Sequence, residues 1–264
     1  MKASYRNLGL MDYSACWELQ QRLFEALLAE KNRQRSGSGD RSASDSAGTV
    51  LLVEHPPVYT LGKSGRAENL LVDHAALERL GAQFFHIDRG GDITFHGPGQ
   101  LVCYPILDLE RIGIGLREYI DRLEETVIRT VARFGIAAGR IAGASGVWIE
   151  EPGRESGEKT TGTSPAAEDD AEVTSIGEAP RKQQGAPRKI CAIGVRSSRY
   201  VTMHGFALNV ATDLGWFARI NPCGFSDRGV TSIARETGRE VAMKEVERLL
   251  LKELEQQLDI ELEK

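Results

Sequence analysis

The chain has 264 residues, 41% of them hydrophobic and 27% charged, which is the composition of a folded globular protein and excludes a disordered, collagen-like or purely coiled-coil chain. Its 33 lysine and arginine residues against 38 acidic residues give a net charge of -5, so no basic excess indicates a nucleic-acid or anionic-membrane partner. No apolar run reaches the ~18 residues of a membrane helix, and no apolar signal-peptide core follows Met1. Four cysteines without a C-x-x-C pair predict a reduced, cytoplasmic protein without a structural zinc site.

The N-terminal third begins with a predicted helix. Asp12 can cap it, and its apolar stripe consists of Trp17, Phe24, Leu27 and Leu28. Residues 31–49 then contain no apolar side chain larger than alanine, which predicts a mobile surface insertion, because such a segment buries too little apolar surface to offset its ordering entropy. Residues 50–54 form an apolar run that predicts a strand ending at His55-Pro56-Pro57.

The middle of the chain alternates between helix and strand patterns. Residues 73–80 predict a short helix with Asp73 at its start and Gly81 just after its end. Residues 83–88 and 101–109 have the composition of strands. Residues 119–134 predict an amphipathic helix, whose shared apolar face consists of Ile120, Leu123, Val127 and Val131.

The C-terminal half contains a second composition shift. Residues 151–188 are rich in Gly, Pro, Ser, Thr and charge, which predicts a second mobile insertion, between strands at 146–150 and 189–195. A polar turn at 196–199 leads to a further strand at 200–210. A last helical stripe consists of Val246, Leu249, Leu250, Leu254 and Leu258.

Helices and strands occur in mixed order, and some strands are adjacent in sequence. This order predicts an α+β fold with a mixed, largely antiparallel sheet flanked by helices. Without the two insertions roughly 200 residues remain, which fits a single domain over residues 1–264.

A glycine-rich segment at residues 89–100 stands out from ordinary core sequence. Four glycines and a proline in twelve residues predict an irregular loop in which a ligand can approach the main chain closely, beside the donors of Arg89 and His96. The spacing matches neither G-x-G-x-x-G nor a P-loop, so a nucleotide site is not supported. A tight turn between strands is the alternative interpretation.

Small residues recur along the two strands that flank the turn at 196–199. Ala192, Gly194, Gly205 and Ala207 predict a groove between bulkier neighbours, which is what an acyl chain requires. Close packing between backbones requires the same residues, so both interpretations stay open.

One cysteine differs from the other three. Cys223 lies between Pro222 and Gly224, where a turn can present the thiol as a nucleophile, or where it is simply an incidental turn residue. His96 or His204 can supply a base, whereas no spacing supports a Cys/His metal site. The other cysteines lie in apolar periodic segments and are predicted to be inert: Cys16, Cys103 and Cys191.

Taken together, several motifs in one order resemble the octanoyltransferase family, also called lipoyl(octanoyl) transferase or lipoate–protein ligase B. The stretches that carry the resemblance are residues 55–63, 89–100, 189–194, 204–209 and 221–224. It implies the fold of biotin and lipoate ligase catalytic domains, a mixed sheet flanked by helices. It also implies transfer of octanoyl from octanoyl-acyl carrier protein, through a cysteine thioester, to a lysine of lipoyl domains in 2-oxoacid dehydrogenases and the glycine cleavage H protein, with no cofactor and no metal.

The same resemblance implies the site residues. Cys223 would be the nucleophile and Lys189 the residue that lowers its pKa. The implied substrate contacts are Arg89, Gly90, Gly91, Asp92, Ile93, Thr94, Phe95, His96, Ala192, Ile193, Gly194, Gly205, Phe206 and Ala207. The backbone at Gly90 and Gly91 is a candidate source of oxyanion donors.

Two other functions remain as alternatives. An ATP-dependent lipoate or biotin ligase of the same fold forms an acyl-adenylate and needs no nucleophilic cysteine, so Cys223 argues against it. A non-catalytic protein that binds lipoyl domains or acyl chains is the second alternative.

Overall fold

The structure, a computed structural model, describes residues 1–36, 46–150, 185–221 and 229–264. Its strands are β1 (Lys2–Leu10), β2 (Ser46–Glu54), β3 (Val58–Leu61), β4 (Gln83–His86), β5 (Ile93–His96), β6 (Gln100–Leu107), β7 (Gly139–Ile141), β8 (Ala144–Ile149), β9 (Arg188–Ser198), β10 (Val201–Asn209), β11 (Gly229–Val230) and β12 (Glu261–Glu263). Its α-helices are α1 (Tyr13–Arg35), α2 (His74–Arg79), α3 (Leu109–Ile112), α4 (Leu116–Ala132), α5 (Ile233–Thr237) and α6 (Met243–Leu258). Short 3-10 helices cover Ala67–Asn69 and Leu214–Arg219.

The large sheet has the strand order β12-β1-β2-β6-β10-β9-β8-β7, and β11 pairs with β9. Its pairs are antiparallel from β2 to β7, whereas β1 pairs in parallel with β2 and with β12. A smaller sheet has the order β4-β3-β5. The predicted α+β class with a mixed, largely antiparallel sheet is confirmed.

Helices cover the two faces of the large sheet unequally. On one face α4 and α6 contact each other and bury their stripes, whose fully buried members are Leu123, Val127, Val131, Val246, Leu250, Leu254 and Leu258. On the other face α1, capped by Asp12, lays Phe24 and Leu27 against β6 and β10. None of the helices in the described ranges is long and apolar enough to cross a membrane.

The ordered elements extend into both ends of the 31–49 segment, so the predicted boundaries were too wide. Lys31 is buried at the end of α1, where its ammonium contacts Asp108 Oδ1 at 2.5 Å and Glu110 Oε2 at 2.7 Å. Residues 46–49 form the start of β2, and Gly48 lies against the Ile106 carbonyl too closely for any side chain. These ends are ordered by a buried ion pair and by a close glycine contact. A hydrophobicity pattern reveals neither of them. Residues 37–45 lie outside the described residues.

The 151–188 segment and the turn at 196–199 also need correction at their borders. Arg188 belongs to β9, where its guanidinium pairs with Glu236 at 3.1 Å. Residues 151–184 lie outside the described residues. Both β9 and β10 continue to a tighter turn at Arg199 and Tyr200, each with a positive φ.

The prediction that residues 89–100 are irregular throughout was wrong. β5 lies inside this segment and pairs antiparallel with β3, because Ile93-Thr94-Phe95 are good strand formers between two glycine-rich turns. The prediction also missed β1 and β12, which are held by pairing between the two chain termini.

Candidate functional site

A small cavity of about 30 Å³ lies between the β9–β10 hairpin, the start of α1 and the glycine-rich segment. The predicted residues that line it are Arg89, Thr94, His96, Ala192, Ile193, Gly194, Gly205, Phe206 and Ala207. Sequence reasoning did not include four further lining residues in the predicted contacts: Tyr13, Val102, Tyr104 and His204.

The remaining predicted contacts do not line this cavity. Because side chains alternate along a strand, β5 sends Thr94 and His96 to the cavity and the other two residues to the opposite side. Ile93 and Phe95 are buried there in a separate apolar cluster, in which Phe95 stacks on Trp216. Gly90, Gly91 and Asp92 form the turn before β5.

The small residues face each other across the hairpin in register. Ala192 pairs with Ala207, and Gly194 pairs with Gly205. A Cβ on Gly205 would lie 2.1 Å from the Cys103 carbonyl oxygen, so this glycine serves close packing against β6. A Cβ on Gly194 would lie 2.7 Å from Arg89 Cδ. Both interpretations therefore hold, the glycines allowing close approach and the alanines bordering the cavity.

Arg89 organises the glycine-rich turn. Its guanidinium donates to the Gly90 carbonyl at 2.8 Å and to the Asp92 carbonyl at 2.7 Å. The N–H of Gly90 donates to the Val195 carbonyl at 3.1 Å, which ties the turn to β9. That N–H is therefore engaged in this structure, and the expectation that the backbone at Gly90 and Gly91 supplies oxyanion donors stays a prediction.

Three buried histidines lie at or near the cavity: His96 and His204 line it, and His55 bonds Tyr104, which also lines it. His55 bonds the Met11 carbonyl through Nδ1 and Tyr104 Oη through Nε2. Burial lowers the pKa of His55 to about 4 and, together with the nearby His55, lowers the pKa of His96 to about 3. Burial also lowers the pKa of His204, although its hydrogen bond to Asp88 opposes the shift. Both predicted bases, His96 and His204, are therefore neutral at pH 7 and weaker bases than an ordinary histidine.

Lys189 lies near the start of β9, opposite Trp148 of β8. Its Nζ lies 4.5 Å from the centroid of a Trp148 ring, a cation–π contact with an almost fully buried indole. The backbone of β11 pairs with Arg188 and Lys189, and Thr231 N–H donates to the Lys189 carbonyl at 3.0 Å.

Cys223 lies outside the described residues, and so do Pro222 and Gly224. On the described flanks, Asn221 N–H donates to the Asn69 carbonyl at 2.8 Å, and Gly229 begins the strand beside Arg188. The chain therefore returns to the Lys189 strand six positions after Cys223.

The other three thiols are buried. Burial raises the pKa of Cys16 to about 12 and raises the pKa of Cys103 and Cys191 well above the ordinary thiol range. Lys189 opposes this shift at Cys191 without overcoming it. These side chains behave as small apolar groups, as predicted. In the described ranges no three His, Cys, Asp or Glu side chains converge as metal ligands would.

The comparisons with known proteins all indicate the same family. Residues 12–255 match the model of the lipoyl protein ligase A/B catalytic domain. An octanoyltransferase of Bacteroides fragilis is 46% identical over 254 residues, covering 96% of this chain and 97% of the relative. An octanoyltransferase of Flavobacterium johnsoniae is 45% identical, covering 96% and 95%.

Solved structures of low identity share the fold. A bi-partite lipoate protein ligase from Thermoplasma acidophilum superposes with a TM-score of 0.61 at 15% identity, covering 100% of this chain and 86% of that one. Lipoate-protein ligase A bound with ATP gives a TM-score of 0.59 at 14% identity, covering 100% and 88%. At these identities the likeness concerns the fold alone, and it agrees with the predicted lipoate-ligase architecture.

Proposed function

The chain belongs to the lipoyl protein ligase A/B catalytic-domain family, and we propose that it is an octanoyltransferase using Cys223 and Lys189. It transfers octanoyl from octanoyl-acyl carrier protein to a lysine of lipoyl domains, such as those of 2-oxoacid dehydrogenases and the glycine cleavage H protein. The observation that carries the proposal is the cavity bordered by Ala192 and Ala207, on the strand pair that also bears Lys189. A cytoplasmic location remains a prediction.

The reaction divides into two transfers at one sulfur. The Cys223 thiolate attacks the carrier thioester, so that a new S–C bond forms while the carrier S–C bond breaks and the carrier thiolate takes up a proton. The acceptor amine then attacks the acyl-enzyme, an N–C bond forms, and the Cys223 S–C bond breaks as the amine proton passes to the enzyme. A thioester replaces a thioester in the first transfer, so ATP is not needed.

Several described features support Cys223 as the nucleophile. Burial disfavours the thiolate at Cys16, Cys103 and Cys191, since it raises the pKa of each. Val230, seven positions after Cys223, pairs with Lys189, whose ammonium would favour a nearby thiolate. Burial of acyl chain in the cavity would exclude water from the thioester.

The test uses octanoyl-carrier protein and a lipoyl domain without ATP or magnesium. We expect octanoyl-lysine to form and, with the acceptor omitted, one octanoyl unit to add to the enzyme and to be released by neutral hydroxylamine. Cys223→Ala should abolish the adduct and the transfer, whereas the matched control Cys191→Ala should keep both. An adduct that maps to Cys191 refutes the assignment. Transfer from free octanoate plus ATP, without transfer from the thioester, indicates a ligase, and binding without transfer indicates a binding protein.

The role of Lys189 has its own test. Lys189→Ala should raise the apparent pKa of the Cys223 thiol and slow its alkylation near neutral pH. Lys189→Arg should keep part of the charge effect but serve poorly in proton transfer, because arginine stays protonated. Lys252→Ala, on the exposed side of α6, is the control. An unchanged alkylation profile in Lys189→Ala removes this role.

A further inference from the structure

His204 lines the cavity. One of its ring nitrogens forms a hydrogen bond, and the other is buried. Its Nε2 lies 3.0 Å from Asp88 Oδ1, and Asp88 Oδ2 pairs with Arg196. A carboxylate can only accept, so Nε2 carries the hydrogen, and Nδ1 of the neutral ring carries a lone pair. Among the described residues, His204 Nδ1 is buried without a hydrogen-bond partner. Native proteins seldom leave such an acceptor unpaired.

The tautomer of His96, on the cavity wall, follows from a chain of side-chain hydrogen bonds. Asn209 Nδ2 donates to the Thr231 carbonyl at 2.9 Å, so Asn209 Oδ1 accepts from Gln100 Nε2 at 2.9 Å. Gln100 Nε2 also donates to the Phe95 carbonyl at 3.2 Å. Gln100 Oε1 therefore faces His96 Nδ1, at 2.8 Å, and that nitrogen must be the donor. His96 Nε2 is left as an acceptor.

The backbone at His204 is unusual for a strand. Its φ is +63°, in the left-handed region, although it lies inside β10. A non-glycine residue pays a conformational penalty there, and such residues concentrate at ligand sites whose surroundings hold them in place. The Asp88 hydrogen bond provides that restraint for His204.

We propose that His204 Nδ1, with His96 Nε2, forms an acceptor subsite for an O–H donor at the end of the cavity remote from Lys189. The donor is a hydroxyl near the distal end of a medium-length acyl chain or, beside an unsubstituted chain, a water molecule. The proposal rests on the proposed function, which attaches the chain near Lys189. His204 pairs with Val195, six positions along β9 from Lys189, so the two residues lie toward opposite ends of this strand pair.

A matched pair of substrates tests the subsite. The carrier-protein thioesters of 7-hydroxyoctanoate and 7-oxooctanoate have similar size, but the ketone can only accept a hydrogen bond. We expect the alcohol to exceed the ketone at least tenfold in kcat/KM, and 3-hydroxyoctanoyl, which bears its hydroxyl near the thioester, to lack this advantage over octanoyl. A ketone that reacts as well as the alcohol overturns the proposal.

Variants and spectroscopy separate this role from a purely structural one. His204→Gly tolerates the positive φ and removes the acceptor, so the alcohol-to-ketone ratio should fall to about one, whatever the absolute rate. If that variant does not fold, ¹⁵N NMR of the parent protein decides. His204 should show a protonated Nε2 and a bare Nδ1, and the reverse tautomer contradicts the subsite.

The proposed function and the subsite can fail separately. Loss of octanoyl transfer from every thioester refutes the proposed function but leaves the subsite testable by calorimetry with free 7-hydroxyoctanoate and 7-oxooctanoate. Tighter binding of the hydroxy acid supports the subsite. Octanoyl transfer with no preference between alcohol and ketone refutes the subsite alone.

Discussion

The two faces of the large sheet use the same strands for opposite purposes. Toward α4 and α6, β10 contributes Phe206 and Leu208 to a closely packed apolar core. Toward α1 and the smaller sheet, the intervening Ala207 borders the cavity, and Gly205 lets β10 approach β6 closely. Stability on the first face comes from the size of the side chains, whereas ligand access on the second comes from side chains that are small or absent.

The two faces also bury different polar groups. On the packed face the hydroxyls of Thr126 and Thr130 bond carbonyls of their own helix, and the buried carboxylates of Glu124 and Glu253 pair with arginines. The cavity face buries three histidines, each with its own partners: His55 bonds the Met11 carbonyl and Tyr104, His96 bonds Gln100, and His204 bonds Asp88. Substitutions on the two faces should therefore differ in kind as well as in size.

A large effect is expected at Gly205, where a new side chain would clash with the backbone of β6. In Gly205→Ala the new Cβ would meet the Cys103 carbonyl oxygen at 2.1 Å, so β6 and β10 must separate. We expect a loss of about 3 kcal/mol in the free energy of unfolding, measured by urea denaturation. The control Gly139→Ala has no atom within 4 Å of its new Cβ and should change little. Equal unfolding curves for the two variants would show that the hairpin is not closely packed.

Substitutions on opposite faces should separate stability from selectivity. Ala207→Val should lower kcat/KM for octanoyl roughly 100-fold while sparing a butanoyl thioester, because added methyl groups occupy the cavity. Leu254→Ala, in the packed core, should cost about 2–5 kcal/mol in unfolding free energy and leave the chain-length preference unchanged. If Ala207→Val lowers both activities equally, the cavity does not hold the chain.

Sequence patterns anticipated the parts of both faces that depend on neighbouring residues. Asp12 and Asp73 cap their helices as predicted, and the small residues of β9 and β10 do meet in register. The patterns failed where a partner is remote in sequence. The ion pair of Lys31 with Asp108 spans 77 positions, and the pair of His204 with Asp88 spans 116.

Acid should weaken the cavity face selectively. The pKa values of His55 and His96 are lowered to about 4 and about 3, from 6.5 in an unfolded chain. Between pH 6.5 and 4 the unfolded chain therefore binds more protons, and stability falls as the pH falls. By pH 4 we expect each of these histidines to lower the free energy of unfolding by on the order of 3 kcal/mol. Urea denaturation at a series of pH values measures this loss. His55→Gln should reduce the dependence of the unfolding free energy on pH. Leu254→Ala should lower the unfolding free energy without altering its dependence on pH.

The smallest effect is expected from removing residues 151–184, which connect β8 to β9 in the large sheet. Ile149 and Arg188 are register partners on β8 and β9, so the two ends of the segment already lie side by side, and a short Gly/Ser bridge from Glu150 to Gly185 can close the hairpin. The segment has Val173 and Ile176 as its only large aliphatic residues, too few for a core. Shortening a loop several-fold changes closure entropy by only about 1 kcal/mol, so the melting temperature should shift by a few degrees and turnover should stay within a few-fold. A longer deletion that also removes Pro187, whose carbonyl accepts from Gly229, should cost more. A stable shorter variant with a large loss of turnover would instead assign the segment to substrate docking.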